Sequence, residues 1–413
     1  MNSAWKTQTD IADDDTMPSS LRTLAERRPF LTAFALSLGA AIALGLSRFS
    51  YALLLPSMRA DLGWTYLLAG SMNTGNAFGY FVGALVTPAL MRRCGAQTAL
   101  VGGALFAGVF MMLSGLVVNA NLLILQRVLA GIASAFIFIS GGVLAARLSS
   151  LHPRRAGLLI GIYYGGTGFG ITVSALLVPI VMAEAAGHHA AHAWQWAWVA
   201  LGGVCLLATL VMASQSRHID GTPAAPSVHG NFQLKPFAFG LAGYLMFGVG
   251  YIGYMTFVIA LLKEQGMSPG TITMFYAVLG LAVMVSSRIW ARMLDRFKGG
   301  QSMAILNGLL CLATILPAIT GAPLLLFISG LMFGGIFLSV VAATTALVRH
   351  NLPPHAWSSG ISAFTTAFAF GQIIGPSIIG WIADGTGGLQ RGLLFSAMAL
   401  LIAAILSTRQ RAL

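Results

Sequence analysis

Residues 45–51 read GLSRFSY, and a related stretch, GVGYIGY, occupies residues 248–254 at an offset of 203 positions. At the same offset, residues 61–63 (DLG) fall over residues 264–266 (EQG). Each copy lies in or beside an apolar run long enough to cross a membrane, which takes about 20 residues. The chain is therefore interpreted as two copies of one unit. Because an even number of spans separates the copies, both have the same orientation in the membrane.

The composition is typical of a protein built almost entirely from membrane-spanning helices. Of the 413 residues, 57% are hydrophobic and 8% are charged, whereas soluble domains carry about 25% charged residues. Reading along the chain gives about twelve apolar segments of spanning length. The sequence thus predicts an all-α integral membrane protein, with twelve transmembrane helices arranged as two six-helix bundles related by pseudo-two-fold symmetry.

The domain boundaries follow from the polar stretches. Residues 1–28 contain three adjacent aspartates and several serines and threonines, and are predicted to be a disordered cytoplasmic tail. Residues 29–214 form the predicted N-terminal bundle and residues 236–408 the C-terminal bundle. A cytoplasmic linker over 215–235, rich in Pro, Gly and Ala, joins them, and 409–413 form a second cytoplasmic tail.

The basic residues predict the orientation of the chain. Eighteen of the 23 lysines and arginines fall on the side of the N-terminus, and three fall in loops on the other side. This positive-inside bias places both termini in the cytoplasm of a multi-pass protein of the inner (plasma) membrane. The formal net charge of +12 is then a topology signal, and no nucleic-acid partner is expected. The expected partners are the lipid bilayer and a small-molecule substrate, and the chain is expected to be a monomer.

Catalytic and metal-binding patterns are absent from the sequence. The three cysteines show neither a disulfide framework nor metal-ligand spacing, and there is no phosphate-binding loop, His-Glu-x-x-His or Gly-x-Ser-x-Gly motif. We therefore expect no cofactor, no metal and no enzymatic activity. The eleven acidic residues fall in tails, loops or helix ends, so a proton as coupling ion has no identified carrier. Glu184 and Asp384 are the weak candidates.

Two arginines, Arg48 and Arg127, lie inside apolar segments that contain no carboxylate. A charge in the middle of a membrane helix costs about 2.5–3.5 kcal/mol on insertion scales, and such residues are candidates for function. Guanidinium groups bind carboxylates and phosphates through paired hydrogen bonds. The sequence therefore predicts that the substrate of this membrane protein is a small organic anion, such as a carboxylate or sugar acid.

The alternative interpretation gives both arginines a structural role. Arg127 would then brace the helix bundle through backbone carbonyls, and Arg48 would extend its charge to the membrane interface. The protein would in that case export neutral or apolar compounds.

Four further residues belong to the predicted substrate site. Tyr51 lies one helical turn beyond Arg48 on the same face, and Tyr251 and Tyr254 are the repeat-related counterparts of Arg48 and Tyr51. Gln372 is a polar residue in the middle of the eleventh segment. For the tyrosines the alternative is an interfacial aromatic belt, and for Gln372 it is an ordinary hydrogen bond between helices.

Several motifs resemble those of the major facilitator superfamily. Residues 127–135, RVLAGIASA, match the Arg-x-x-x-Gly pattern of its fourth helix, and Asp295-Arg296 match its cytoplasmic loop motif, with Ala291 where glycine is usual. The first-half copy of that motif departs further, because arginines stand at 92–93 where aspartate is expected. The string at residues 45–56, GLSRFSYALLLP, further resembles the YbfB/YjiJ-like branch.

This resemblance covers nearly the whole chain. It implies a secondary active transporter, which would move the small organic anion across the inner membrane by alternating access. It implies that the first, fourth, seventh and tenth helices line a central cavity. It also implies conformational or gating roles for Gly131 of the fourth-helix pattern, for Asp295 and Arg296 of the loop motif, and for Gly375 and Pro376, a Gly-Pro signature in the eleventh segment.

Overall fold

The computed structural model describes residues 28–217 and 233–413, and these residues form helices and no strands. The twelve long helices in this part of the chain are α1 (Pro29–Leu62), α2 (Tyr66–Cys94), α3 (Ala96–Ser114), α4 (Ala120–Ser150), α5 (Ala156–Gly187), α6 (Ala193–Ser216), α7 (Ala238–Glu264), α8 (Pro269–Ile289), α9 (Gln301–Ile319), α10 (Pro323–Asn351), α11 (Trp357–Ala383) and α12 (Gly388–Arg409). A short helix, Ala291–Arg296, joins α8 to α9. The predicted tail 1–28 lies outside the described residues except for Arg28, and so do positions 218–232 of the predicted linker.

Eleven of these helices are long and apolar enough to cross a membrane. Helix α2 has 29 residues but is more polar, because Asn73, Thr74 and Asn76 interrupt its apolar sequence. The all-α membrane fold is thus confirmed. Of the twelve predicted spans, eleven correspond to helices that are apolar enough to cross a membrane.

The contacts between the halves show the pseudo-two-fold relation. Helices α1–α6 pack as one half and α7–α12 as the other, and the halves meet where α2 packs on α11 and where α5 packs on α8. By the repeat, α8 is the counterpart of α2, and α11 is the counterpart of α5. The two contacts are therefore equivalent, as expected for two bundles related by an axis along the membrane normal.

Helix α1 has an irregular centre. Residues Ala41–Phe49 are π-helical, and the Ser50 amide donates to the carbonyl of Gly45, five residues earlier, at 3.1 Å. A side chain at Gly45 would collide with the backbone of Gly170 in α5, so glycine allows this close crossing. π-Helical turns are frequent at functional sites, and this one carries Arg48.

Glycine also sets the distance between α2 and α4. A Cβ atom at Gly131 would overlap the carbonyl oxygen of Asn76 and approach the amide nitrogen of Tyr80. Gly131, the motif glycine of the fourth helix, therefore lies at a crossing where the two backbones nearly touch.

We expect Gly131→Ala to destabilise the protein by about 1–3 kcal/mol, because a methyl group forced into a close-packed crossing shifts the helices apart. Thermal unfolding of the purified protein measures the effect. Gly203→Ala is the matched control, because a Cβ atom there meets nothing within 4 Å. There the higher helix propensity of alanine should stabilise slightly. Equal melting temperatures for the two variants would contradict the close crossing.

Candidate substrate-binding site

A central cavity of about 450 Å³ lies between the two halves, within the usual range for small-molecule sites. Its walls come from α1, α2, α4, α5, α7, α10 and α11. The lining residues belong to the last halves of α2, α4 and α10 and the first halves of α5, α7 and α11. The cavity therefore lies toward the face at which α1 begins and α12 ends, here called the terminal face.

Arg48 is the charged residue among the described residues that line this cavity. It is 2% exposed, and its Nη2 atom donates a hydrogen bond to Oε1 of Gln372 in α11. This bond joins the two halves, since Arg48 belongs to α1. The Nε atom is buried without a partner in the described part of the chain. The Arg48 guanidinium, which has five N–H donors, therefore bonds to the neutral amide of Gln372.

Arg127 is held differently and does not line the cavity. Its Nη1 donates to the backbone carbonyl of Ser47 at 2.6 Å, and its Nη2 donates to Oδ1 of Asn73 at 3.0 Å. The guanidinium carbon lies 5.1 Å from the ring centre of Tyr51 and 5.4 Å from that of Trp198. Because these partners come from α1, α2 and α6, the geometry matches a brace within the N-terminal half.

The predicted tyrosines fall into two groups. Tyr251 lines the cavity with Arg48, its repeat counterpart, and with Gln372. Tyr51 instead donates to the carbonyl of Ala69 at 2.8 Å, and Tyr254 shares a hydrogen bond of 2.7 Å with Ser329. Residues related by the repeat therefore have the same orientation: Arg48 and Tyr251 both face the cavity, whereas Tyr51 and Tyr254 each bond within their own bundle.

Ten lining aromatic residues were not predicted from the sequence: Phe49, Tyr80, Phe81, Phe138, Tyr164, Tyr244, Phe247, Phe337, Phe364 and Phe368. The spacing of Tyr244, Phe247 and Tyr251 by three and four residues indicates one helix face, so this signal was available. Phe364 and Phe368, four residues apart in α11, carry the same signal. Tyr80 in α2 and Tyr164 in α5 have no lining aromatic residue one turn away, and the tertiary fold brings them to the cavity.

The predicted gating residues lie at helix crossings and at the end of the short helix between α8 and α9. A side chain at Gly375 would meet Val249 of α7, and the carbonyl of Pro376 faces Gly70 of α2. Asp295 and Arg296 are exposed at the end of the short helix, and no ion pair joins them to another of the described residues. Their gating roles stay predictions.

The face opposite the termini is closed by hydrogen bonds between the halves, a group of contacts here called the opposite-face lock. The carboxylate of Asp384, after α11, accepts from the amide nitrogens of Tyr66 and Leu67 at 2.6 and 2.8 Å. The Tyr66 hydroxyl donates to the Glu264 carboxylate at the end of α7. Deeper in the crossing, Thr74 donates to the carbonyl of Ile373 at 2.8 Å. The first turn of α2 is thus capped by acidic residues of the other half.

The brace at Arg127 leads to a stability prediction. We expect Arg127→Met to lower the free energy of unfolding by about 1–3 kcal/mol for each buried acceptor that loses its donor, namely the Ser47 carbonyl and the Asn73 amide. Thermal unfolding measures this loss, and Arg48→Gln, which removes the bond to Gln372, should lower the melting temperature less. An Arg127→Met protein that melts like the parent but has lost ligand binding would contradict a bracing role.

Two helical halves around a central cavity that is closed at one face define a membrane transporter. A family model described as "Uncharacterised MFS-type transporter YbfB" matches residues 40–408. The chain therefore belongs to this family of the major facilitator superfamily, as its motifs indicated.

Similar proteins agree with this assignment. The "Gentisate transporter" of Corynebacterium glutamicum is 23% identical over 83% of this chain and 79% of its own length. A "Putative tartrate transporter" of Agrobacterium vitis is 30% identical over 36% of this chain, but the match spans only 33% of that relative. Among solved structures, a bacterial homologue of the human lysosomal transporter Spinster, inward-facing and occupied, has a TM-score of 0.72 at 14% identity, covering 94% of this chain and 97% of its own. That likeness shows the shared fold.

Proposed function

We propose that this protein is a secondary active transporter that moves a small organic anion across the inner membrane by alternating access, with Arg48 as the anion-binding residue. The observation that carries the proposal is the position of Arg48: it is buried, it lines the cavity between the halves, and its hydrogen-bond partner is the neutral Gln372. The proposed binding site has fewer residues than the site predicted from the sequence, because Arg127, Tyr51 and Tyr254 do not line the cavity.

Electrostatics favours an anionic ligand at this position. A buried charge without an opposite charge is costly, and hydrogen bonds between ionised partners are roughly twice as strong as neutral ones. A carboxylate entering the cavity supplies the opposite charge to Arg48. Because Arg48 and Gln372 belong to different halves, a ligand bound between them contacts both parts that must move relative to each other.

The direction of access follows from the charge bias. The excess of lysine and arginine on the side of the termini supports a cytoplasmic terminal face. In this proposed orientation the cavity faces the cytoplasm and the opposite-face lock is closed. Alternating access then requires the lock to open while the cavity closes. Asp384, a weak candidate for proton coupling in the sequence, belongs to this lock.

The relatives support an anion as substrate. Tartrate and gentisate, the compounds named for two of them, are both carboxylates at neutral pH. One is an aliphatic diacid and the other an aromatic monoacid, so together they support the negative charge of the substrate and not its shape.

Counterflow in proteoliposomes tests this function. Vesicles loaded with unlabelled benzoate, lactate, tartrate or phosphate are diluted into buffer containing a trace of the same labelled anion. We expect transient accumulation of at least one labelled anion, which alternating access produces and a passive leak does not. Exchange restricted to neutral or cationic compounds would contradict the proposal. It would favour the alternative, an exporter of apolar compounds in which the arginines are structural, and the aromatic walls of the cavity are consistent with that alternative.

A further inference from the structure

We infer that the substrate is an aromatic monocarboxylate, an inference that rests on the proposed anion transport and narrows it to one chemical class. The evidence lies in the number of charges and in the shape of the cavity walls.

The charge of the cavity fits one carboxylate. Arg48 is the charged side chain among its described lining residues, and Gln372 beside it is neutral. A dicarboxylate would place its second charge against phenylalanine, tyrosine and threonine side chains, where no cation pairs with it. Because a buried unpaired charge is costly, the cavity discriminates against dicarboxylates.

One wall of the cavity is a stack of aromatic rings from the C-terminal half. Tyr244 and Phe368 lie 4.8 Å apart between ring centres at 14°, and Phe247 and Tyr251 lie 5.0 Å apart at 20°. Tyr251 and Phe337 continue the stack at 5.9 Å and 8°. Rings stacked this closely cover much of one another's faces, so the wall presents mainly ring edges to the cavity. The face of a planar ligand ring gains edge-to-face contacts with such edges that a saturated body does not.

The facing wall comes from the N-terminal half and is also aromatic. It includes Tyr80, Phe138 and Tyr164, with Phe138 and Tyr164 5.6 Å apart at 57°. Tyr80 and Tyr251, which belong to opposite halves, line the same cavity as Arg48. A ring between the two walls would therefore carry its carboxylate toward Arg48, with a phenol on either side able to donate to the second carboxylate oxygen.

Isothermal titration calorimetry on the purified full-length protein tests the inference with four probes. Benzoate has the expected charge and shape, cyclohexanecarboxylate keeps the charge without the flat ring, terephthalate adds a second carboxylate, and tartrate is an aliphatic diacid. We expect benzoate to bind about 5- to 10-fold more tightly than cyclohexanecarboxylate, because its ring makes aromatic edge-to-face contacts with the wall. Terephthalate and tartrate should bind at least about 30-fold more weakly than benzoate.

A wall variant adds an independent test. Phe368→Leu should weaken benzoate binding about 5- to 10-fold and leave cyclohexanecarboxylate nearly unchanged. Phe106→Leu is the matched control, because Phe106 is 58% exposed in α3 and does not line the cavity.

The outcomes separate this inference from the function on which it rests. Tight binding of tartrate or of cyclohexanecarboxylate, equal to that of benzoate, would overturn the aromatic monocarboxylate and leave anion transport standing. Binding of none of the four anions, with binding of neutral compounds, would overturn both.

Discussion

Replacing Arg48 with glutamine is expected to remove anion transport while the protein still folds. Glutamine keeps a polar side chain opposite Gln372 but lacks the positive charge and the paired donors. Losing one partner of a buried, hydrogen-bonded charge pair costs about 2–5 kcal/mol, so the half-saturating anion concentration should rise at least about 30-fold. Initial rates of labelled benzoate uptake into proteoliposomes, measured over a range of concentrations, give this value.

Two further variants control for charge and for geometry. Arg48→Lys keeps the charge as a single point but loses the planar fork, and should fall between the parent and Arg48→Gln. Arg155→Gln removes an exposed arginine that lies over Phe30, 5.3 Å from the ring centre and away from the cavity, and should transport like the parent. If Arg48→Gln and Arg155→Gln transport equally well, Arg48 is not the anion-binding residue.

Neutralising Asp384 is expected to open the opposite-face lock. Its carboxylate accepts from two amide nitrogens at the start of α2, where the helix dipole favours negative charge. Asparagine offers one neutral acceptor oxygen in its place. The loss of about 1–2 kcal/mol should shift the ratio of closed to open states about 5- to 30-fold toward the open state.

The distance between two spin labels at the face opposite the termini measures this shift. Cysteines replace Ala186, at the end of α5, and Ala322, before α10, in a background where the exposed Cys94 is serine. We expect Asp384→Asn to enlarge the long-distance population between the two labels. The control is Glu184→Gln, because Glu184, near the end of α5, pairs with His188 just after that helix at 3.2 Å and has no bond across the halves among the described residues. Identical distance distributions for the two variants would contradict the lock.

The fold could be predicted largely from sequence because its physical determinants are local. Apolar runs of spanning length and the bias of basic residues do not depend on tertiary contacts, and the repeat of residues 45–51 at 248–254 relates the two halves directly. Helix α2 is less apolar than the other long helices, because it contains polar residues such as Asn73. The side chain of Asn73 bonds to Arg127 and Thr256 inside the protein.

The site could be predicted only in part. Arg48 and Tyr251 are found through the cost of a buried charge and through the repeat, and Gln372 through its polarity in an apolar segment. Whether Arg127 binds substrate or braces helices could not be decided from sequence, because the answer depends on the carbonyl of Ser47, which lies in a π-helical turn. The lock between Asp384 and α2 likewise joins residues more than 300 positions apart.

The central claim, that Arg48 binds an anion between the two halves, is tested most directly by a thermal-shift screen of the purified protein beside its Arg48→Gln variant. A ligand that binds only the folded state raises the melting temperature by mass action. Small carboxylates, sugar acids, phosphates and neutral drugs are screened against both proteins. We expect a carboxylate, benzoate first among them, to stabilise the parent and to leave Arg48→Gln unchanged. Stabilisation of both proteins alike by neutral or cationic compounds, with no response to any anion, would contradict the claim.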